Sequence, residues 1–569
     1  MRMNAYVCTL ALSILVIGAC GPTTATLRVI QTTDVHGHFT RSPSASDKGE
    51  HGGLRRLATF VGKARAKGPV LLLDSGDMWS GTLLSDLNEG RVGVQAFNAL
   101  GYDAAALGNH EFDYGSVGPG RRGDVFGALQ KRLGEADFPI LAANLTDRKT
   151  GTLPAWPGFR GTTLIQRGGF SIGIVGIVTP ETPSITFPYV GDALRFEDPI
   201  ETVQREAAAL RKQGAELVFV VAHEGGICKD VSDPHDRGSC WEAAPSFQLA
   251  MGLDSGQVDA IFGGHTHKKT AHWVNGIAVI QSGRYASAVG VLDIVRIPGS
   301  KPKLTIHPVI PLDMPIEGQL AQKVDQILKP AEANVERIRS EKLGARLIRP
   351  LTRDRVQSAE LGTYLCDVML KVFPDRQLCL LNSGGMRNEL PAGEITYGSL
   401  YDAFPFGNHA AFIDVPGHVL LEVLRIGTSG AHGVFQVAGL EMEFDLSKDF
   451  CPDQDRNGDG LIDAHDRDRV LSVTLADGSK IVPDKEYRVI TNSFMASGGD
   501  GLRETLKKIH PSGIKLLYDR LPIREQLAKF WRENRPVINS VDNPVMPTRR
   551  MRAVKTLPNR ICPKKRVSN

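Results

Sequence analysis

Ala104-Ala105-Ala106-Leu107-Gly108-Asn109-His110-Glu111-Phe112-Asp113 decides how the chain is read. A short apolar run stops at a glycine, and an amide, an imidazole and two carboxylates follow within six residues. A buried strand whose end carries chemistry reads this way. The pattern recurs. Leu27–Thr32 runs into Thr33-Asp34-Val35-His36-Gly37, and Val70–Leu73 into Asp74-Ser75-Gly76-Asp77. Leu217–Ala222 delivers His223-Glu224-Gly225, and Val258–Phe262 delivers Gly263-Gly264-His265-Thr266-His267. Helical stretches lie between several of these runs, such as Leu54–Lys67 and Asp198–Gly214. In the latter Asp198 is the expected N-cap, with Pro199 and Glu201 in the first turn and Gly214 as the stop.

Strands alternating with helices imply a layered α/β domain. In open α/β sheets the carboxyl ends of the strands converge on one crevice, so five such ends can meet in space. A lone histidine is more often a core or surface residue than a ligand. Five glycine-flanked strand ends that each carry Asp, Asn or His argue otherwise, and ten of the fifteen histidines precede residue 314.

Further apolar runs at Ile140–Ala143, Ser171–Val178 and Ile277–Ile280 extend this first unit over residues 27–313. Residues 314–345 are polar and helix-prone, and read as a helical connector broken at Pro330. A second α/β unit follows over 346–544. It has a helix at Ala359–Phe373, a strand at Leu378–Leu381, and strand-like runs near Ala410–Val415, Val434–Phe444, Val470–Leu475 and Arg488–Thr491. Residues 545–569 form a basic, Pro-containing tail, expected to be mobile.

The chain has 569 residues, long enough for about four domains or two large ones. With 42% hydrophobic and 23% charged residues it is a soluble globular protein, neither disordered nor a multi-span membrane protein. The formal net charge of +4 is uneven, because residues 546–569 hold eight Lys/Arg and no acid. No stripe for a nucleic acid polymer follows from that balance, and no protein partner can be inferred.

The first residues are a targeting segment. Arg2 precedes an apolar run from Ala5 to Ile17, too short for a permanent span but suited to a signal peptide over 1–19. Ile17-Gly18-Ala19-Cys20 resembles the lipobox of bacterial lipoproteins. That implies lipidation of Cys20 and a membrane anchor, with the outer membrane as the expected address. A plain signal peptide would also export the chain. Export permits disulfides among the six remaining cysteines.

Taken together, D-x-H, G-D, G-N-H-E, H and G-H-x-H resemble the calcineurin-like metallophosphoesterases. The run through Asp113 and the motifs of the second unit narrow the resemblance to the 5′-nucleotidase family, over about residues 27–544. The resemblance implies one metal held by Asp34, His36, Asp77 and His267, and another by Asp77, Asn109, His223 and His265. Asp77 would bridge them. Mixed N/O ligation suits Zn²⁺ or Mn²⁺, and a carboxylate can bridge two cations that together acidify a shared water. His110 would act with Asp113 as a dyad that stabilises or protonates the leaving side. Asp74 reads as structural, and His38, His51, His235 and His272 as ordinary histidines.

In the second unit the motif Asn382-Ser383-Gly384-Gly385-Met386-Arg387 would cradle phosphate, with Asn382, Gly384, Gly385, Arg387 and Arg355 as contacts. Arg353 fits the family offset less well. Phe406 and Phe494 would sandwich a nucleobase, Asn408 would meet its edge, and Asp500 would bind the ribose hydroxyls. The alternative is that both rings are core residues. The expected reaction is phosphate release from nucleoside 5′-monophosphates, with nucleotide-sugars and 2′,3′-cyclic nucleotides as further substrates. A thiosulfate-conjugate hydrolase of sulfur oxidation and a non-catalytic nucleotide-binding lipoprotein are the alternatives.

Two stretches, 116–124 and 226–242, depart from the family pattern. Animal members of the family carry a cysteine pair at the offsets of Cys366 and Cys379, which implies that disulfide. Cys228–Cys240 would close a short loop, and Cys451–Cys562 follows by elimination. Finally, residues 455–466 read D-x-N-x-D-G-x-I-D-x-x-D. This resembles EF-hand and dockerin-type loops, and implies a structural calcium site at Asp455, Asn457, Asp459, Leu461, Asp463 and Asp466.

Overall fold

The structure, a computed structural model, describes residues 24–40, 51–117, 123–448, 454–456, 458–518, 520–539, 545, 550–554 and 565–566. The signal segment, Cys20, the Cys451–Cys562 pair and Asn457 lie outside the described residues.

The first unit is built on two stacked sheets. One runs in the order Lys303–Ile306, Ala288–Arg296, Ala25–Thr32, Val70–Asp74, Ala104–Ala106, Ile140–Leu141, Phe159–Arg160. The other runs Lys269–Val274, Ile277–Ser282, Ala260–Phe262, Leu217–His223, Phe170–Val178, Thr162–Arg167. Central strands are parallel, with Ile30 opposite Leu72 and Val220 opposite Ile261. Val70–Asp74 and Leu217–His223 are buried along their whole length, as parallel strands covered on both faces must be. Leu27, Leu71 and Ala104 of the first sheet meet Ile172, Phe219 and Phe262 of the second in one core. Helices Leu54–Arg65, Arg91–Leu100 and Gly127–Glu135 cover the outer face of the first sheet, and Pro199–Lys212 and Pro245–Met251 that of the second. The Asp198 side chain caps Pro199–Lys212 by accepting from the Glu201 amide at 3.0 Å.

Pro330 does not break the connector. Gln319–Arg339 is one helix of 21 residues with Pro330 inside it. Tertiary contacts hold it across the missing amide. Ala321, Val324 and Leu328 pack into the first unit's core, and the Arg55 guanidinium binds Asp325 at 2.6 Å and Glu332 at 2.7 Å. These ion pairs clamp the helix on both sides of the proline. The chain then extends into the strand Lys342–Leu347.

The second unit centres on a sheet in the order Phe435–Ala438, Leu378–Asn382, Glu486–Asn492, Ala410–Pro416, Ile514–Leu516. Alternate residues serve two cores. Cys379 and Leu381 face one, while Leu378 and Leu380 face the other. The run read as one strand over Val434–Phe444 is two, Phe435–Ala438 and Leu440–Phe444, turned at Gly439 with φ +84. The tail is partly docked. Met551–Ala553 pairs in parallel with Leu440–Phe444, Met551 is buried, and the Arg550 guanidinium binds Asp367 at 2.7 Å. Cys228–Cys240 and Cys366–Cys379 are disulfides. The units are stapled together by Leu83, which enters the second unit's core, and by Tyr401, whose hydroxyl donates to Asp86.

Candidate functional site

The strand ends of the first unit meet at one cleft, and the backbone there is unusual. Of the twelve non-glycine residues with positive φ among the described residues, five are Asp34 (51), His36 (49), Asp77 (57), His265 (73) and His267 (59), and a sixth is Asp500 (54). Left-handed backbone costs a side chain of this kind about 1–3 kcal/mol, so the surrounding structure must enforce it. Backbone bonds between the first two loops do so: the Asp34 amide donates to the Gly76 carbonyl, and the His36 amide to that of Asp77. Gly108 allows the third loop to close in. A β-carbon there would stand 2.2 Å from Asp77 Oδ1 and 2.4 Å from its amide nitrogen.

The side chains converge in pairs. His36 Nε2 faces His267 Nε2 at 3.0 Å and Asp77 Oδ2 at 3.5 Å. His267 Nε2 is 3.3 Å from Asp34 Oδ1. On the other side His223 Nε2 lies 3.0 Å from Asp77 Oδ2 and 3.1 Å from Asn109 Oδ1. The ring nitrogens are aimed. His36 Nδ1 is held at 2.9 Å by the Ser80 carbonyl and His223 Nδ1 at 2.8 Å by that of Ser75. A carbonyl can only accept, so each Nδ1 carries a proton and each Nε2 points into the cluster. Asp34, His36 and His267 form one group able to hold a metal ion, and Asp77, His223 and His265 another. This donor set of imidazoles, carboxylates and one amide fits divalent cations of the Zn²⁺ or Mn²⁺ kind.

Burial drives the His36 and His265 rings down to about 4, so both stay neutral at ordinary pH. Burial also opposes charge on His223, but Asp77 lifts it to about 10. Burial likewise opposes charge on Asp77 and Asp34, and the surrounding imidazoles nevertheless hold both low and ionised. Asp74 behaves as a structural acid. It is buried, accepts from Thr32 Oγ1 at 2.6 Å and the Gly76 amide at 2.9 Å, and is pushed well up by burial.

His110 stands beside the cluster, its ring 5.0 Å from that of His36. Its Nδ1 lies 2.7 Å from Asp113 Oδ2, which also accepts from Ser80 Oγ at 2.7 Å. Burial disfavours the imidazolium, but Asp113 and Asp77 raise it to about 10. Glu111, in the same loop, has a role that its place in the motif does not announce. Its buried carboxylate accepts from the amides of Asp77 at 2.9 Å, Met78 at 2.8 Å and Gly108 at 2.8 Å. Glu111 thus ties the second loop to the third. Only a folded partner supplies those amides, so no motif spacing announces it.

In the second unit three cations gather. Burial lowers the Arg387 guanidinium, and Arg355 and Arg353 push the same way. Arg387 donates to the Gly384 carbonyl at 3.4 Å and lies 5.7 Å from the Phe406 ring centroid. Arg353 is committed to structure, donating to the Met386 carbonyl at 2.7 Å. Phe406 is 39% exposed, so it is not a core residue, while Phe494 is half-buried with Gly499 against its ring. Asn408 is buried nearby in sequence, and Asn382 Oδ1 accepts from Asn492 Nδ2 at 2.8 Å.

The acidic loop is closed largely on itself. Asp455 accepts from the amides of Gly458, Asp459 and Gly460, Asp459 from that of Leu461, and Asp466 from those of Arg456 and Asp463. Among the described residues these acids do not form a three-ligand cluster like those at the cleft. Cys228 and Cys240 sit beside His272, but their sulfurs are joined to each other.

Two family models match the chain: calcineurin-like phosphoesterase over residues 27–269, and 5′-nucleotidase, C-terminal domain, over 338–508. A 5′-nucleotidase of Vibrio vulnificus is 25% identical, the match covering 90% of this chain and 92% of the relative. A snake venom 5′-nucleotidase of Crotalus adamanteus is 27% identical, with 84% and 82% covered. The crystal structure of a 5′-nucleotidase precursor from Thermus thermophilus superposes with a TM-score of 0.64 at 25% identity, covering 90% of this chain and 97% of that one. A sulfate thiohydrolase from the same organism shares the fold at a TM-score of 0.59 and 18% identity, with 93% and 97% covered.

Proposed function

Because this chain belongs to the 5′-nucleotidase family of calcineurin-like phosphoesterases, hydrolases of phosphoric esters, we propose that it releases phosphate from nucleoside 5′-monophosphates with two divalent metal ions. The observation that carries this reading is the pair of aimed imidazoles, His36 and His223, whose Nε2 atoms flank the single carboxylate Asp77. Asp34, His36, Asp77 and His267 would hold one cation, and Asp77, Asn109, His223 and His265 the other. Bound there, the cations supply Lewis-acid charge to the phosphoryl group.

The chain's own residues do the rest. Arg355 and Arg387 grip the phosphate. Phe406 and Phe494 take the base between them, Asn408 meets its edge and Asp500 takes the ribose. Water adds to phosphorus, its hydrogens leaving with the phosphate or to solvent; the P–O bond to the nucleoside breaks, and His110, held as imidazolium by Asp113, gives its proton to the leaving oxygen and regains one from solvent. His110, Phe406, Phe494 and Asp500 favour a nucleotide over a thiosulfate conjugate. Nucleotide-sugars and 2′,3′-cyclic nucleotides are candidate further substrates. The test is phosphate release from AMP with and without chelator. Absence of turnover by metal-replete protein refutes the reading.

We further propose that residues 1–19 are an export signal and Cys20 a lipid anchor, with the cell envelope as the address. No helix among the described residues is long and apolar enough to cross a membrane. Calcium at Asp455, Asn457, Asp459, Leu461, Asp463 and Asp466 is supported by the spacing of the loop alone. A calcium-dependent rise in thermal unfolding that Asp459→Ala removes would establish it.

A further inference from the structure

The ribose end of the proposed substrate site holds a group that this reading leaves without a role. Asp500 sits at φ +54; Asn382 hydrogen-bonds to its carboxylate, while its Oδ2 is buried with no geometric hydrogen-bond partner among the described residues. Its Oδ1 lies 3.8 Å from His432 Nδ1, too far for a direct hydrogen bond. The carboxylate is mostly covered at 11% exposure, while the His432 side chain is 49% exposed and open to an arriving ligand.

His432 is held from behind. Its ring is 4.8 Å from that of His465, tilted by 33°. His465 is fixed in turn, with Nδ1 2.8 Å from Asp463 Oδ1 and Gly501 pressed against the ring, where a β-carbon would stand 2.3 Å from Cδ2. The loop of His432 is also tied to the phosphate end. The His432 carbonyl accepts from Arg355 Nη2 at 3.4 Å, and the Val434 amide donates to the Arg355 carbonyl at 2.7 Å. A half-exposed imidazole, held beside a carboxylate with acceptor capacity to spare at Oδ2, makes a two-pronged receptor for adjacent hydroxyls.

We propose that His432 is a specificity-determining residue that shares the vicinal ribose hydroxyls of a ribonucleotide with Asp500, the carboxylate accepting from one hydroxyl and the imidazole binding the other. His465 and Asp463 position it, so the acidic loop contributes a wall of the substrate site. The inference rests on the nucleotidase reading above and selects ribonucleotides over their 2′- and 3′-deoxy analogues.

The experiment compares kcat/KM for AMP, 2′-deoxy-AMP, 3′-deoxy-AMP and p-nitrophenyl phosphate in the unsubstituted protein, His432→Phe and His432→Gln. Phenylalanine keeps a ring against His465 and removes the polar nitrogens, while glutamine restores a donor. Removing the hydroxyl that meets His432 should cost the unsubstituted protein about three- to tenfold, the worth of one hydrogen bond. In His432→Phe that penalty should fall to about one- to twofold, and His432→Gln should recover part of it. Ratios within one protein are insensitive to partial misfolding. An AMP to deoxy-AMP ratio unchanged in His432→Phe for both analogues overturns the proposal while leaving the nucleotidase reading intact. Turnover of p-nitrophenyl phosphate with none of any nucleotide overturns the nucleotidase reading, and the proposal with it.

Discussion

Replacing Asp113 by asparagine tests the dyad with little change of shape. Burial alone would depress His110, yet Asp113 and Asp77 raise it to about 10. A raised imidazole stays protonated up to its own pKa, so acid-dependent turnover should persist through the alkaline range and fail only near pH 10. The amide of Asp113→Asn removes a full charge 2.7 Å from His110 Nδ1. Loss of an opposite charge at that distance lowers a pKa by ~1–3 units, so the alkaline limb of kcat/KM should move down by about that much. With a limb near 7, activity at pH 8 falls about tenfold through the protonated fraction alone. His110→Ala should fall further, by ~10²–10⁴. The assay is phosphate release between about pH 5 and pH 10 from AMP and from p-nitrophenyl phosphate. The nitrophenolate leaves without needing a proton and should lose less. An unshifted limb in Asp113→Asn, or equal losses for both esters in His110→Ala, would refute the acid role.

Asp77→Asn should strip both metal positions together, and elemental analysis that still finds two ions per chain would show that Asp77 does not bridge. Phe406→Ala should weaken AMP by about 1–3 kcal/mol, the worth of a stacked base, far more than it weakens p-nitrophenyl phosphate. Equal losses would mean a packing defect. Gly108→Ala places a methyl 2.2 Å from Asp77 Oδ1, so lowered metal content together with a destabilisation of roughly 1–3 kcal/mol in thermal unfolding is expected. Unchanged values of both would contradict the tight approach of the third loop.

Much of the fold is legible because local and tertiary demands agree. Val70–Asp74 is apolar throughout, and a parallel strand covered on both faces needs nothing else. The residues of the cleft are marked by the glycines that let their loops meet, as at Gly108 and Gly264, where a β-carbon would strike Thr33 Oγ1 at 2.4 Å. Pro330 misleads because the Arg55 clamp that carries its helix lies 270 residues upstream of Asp325 and 277 upstream of Glu332. Met551–Ala553 hides in a basic tail because three residues with one buried methionine give no period to detect. Glu111 and His432 meet partners that only folding brings near, respectively the amides of the second loop and the carboxylate of Asp500.

If Asp77 shares two cations, phosphoester hydrolysis at this cleft depends on both. The most direct measurement removes divalent metal with chelator, returns Mn²⁺ or Zn²⁺ stepwise, and follows phosphate release from AMP against bound metal per chain. No turnover is expected in the stripped protein, and activity should saturate at two ions per chain. Full activity in the stripped protein, or saturation at one ion, would contradict that dependence.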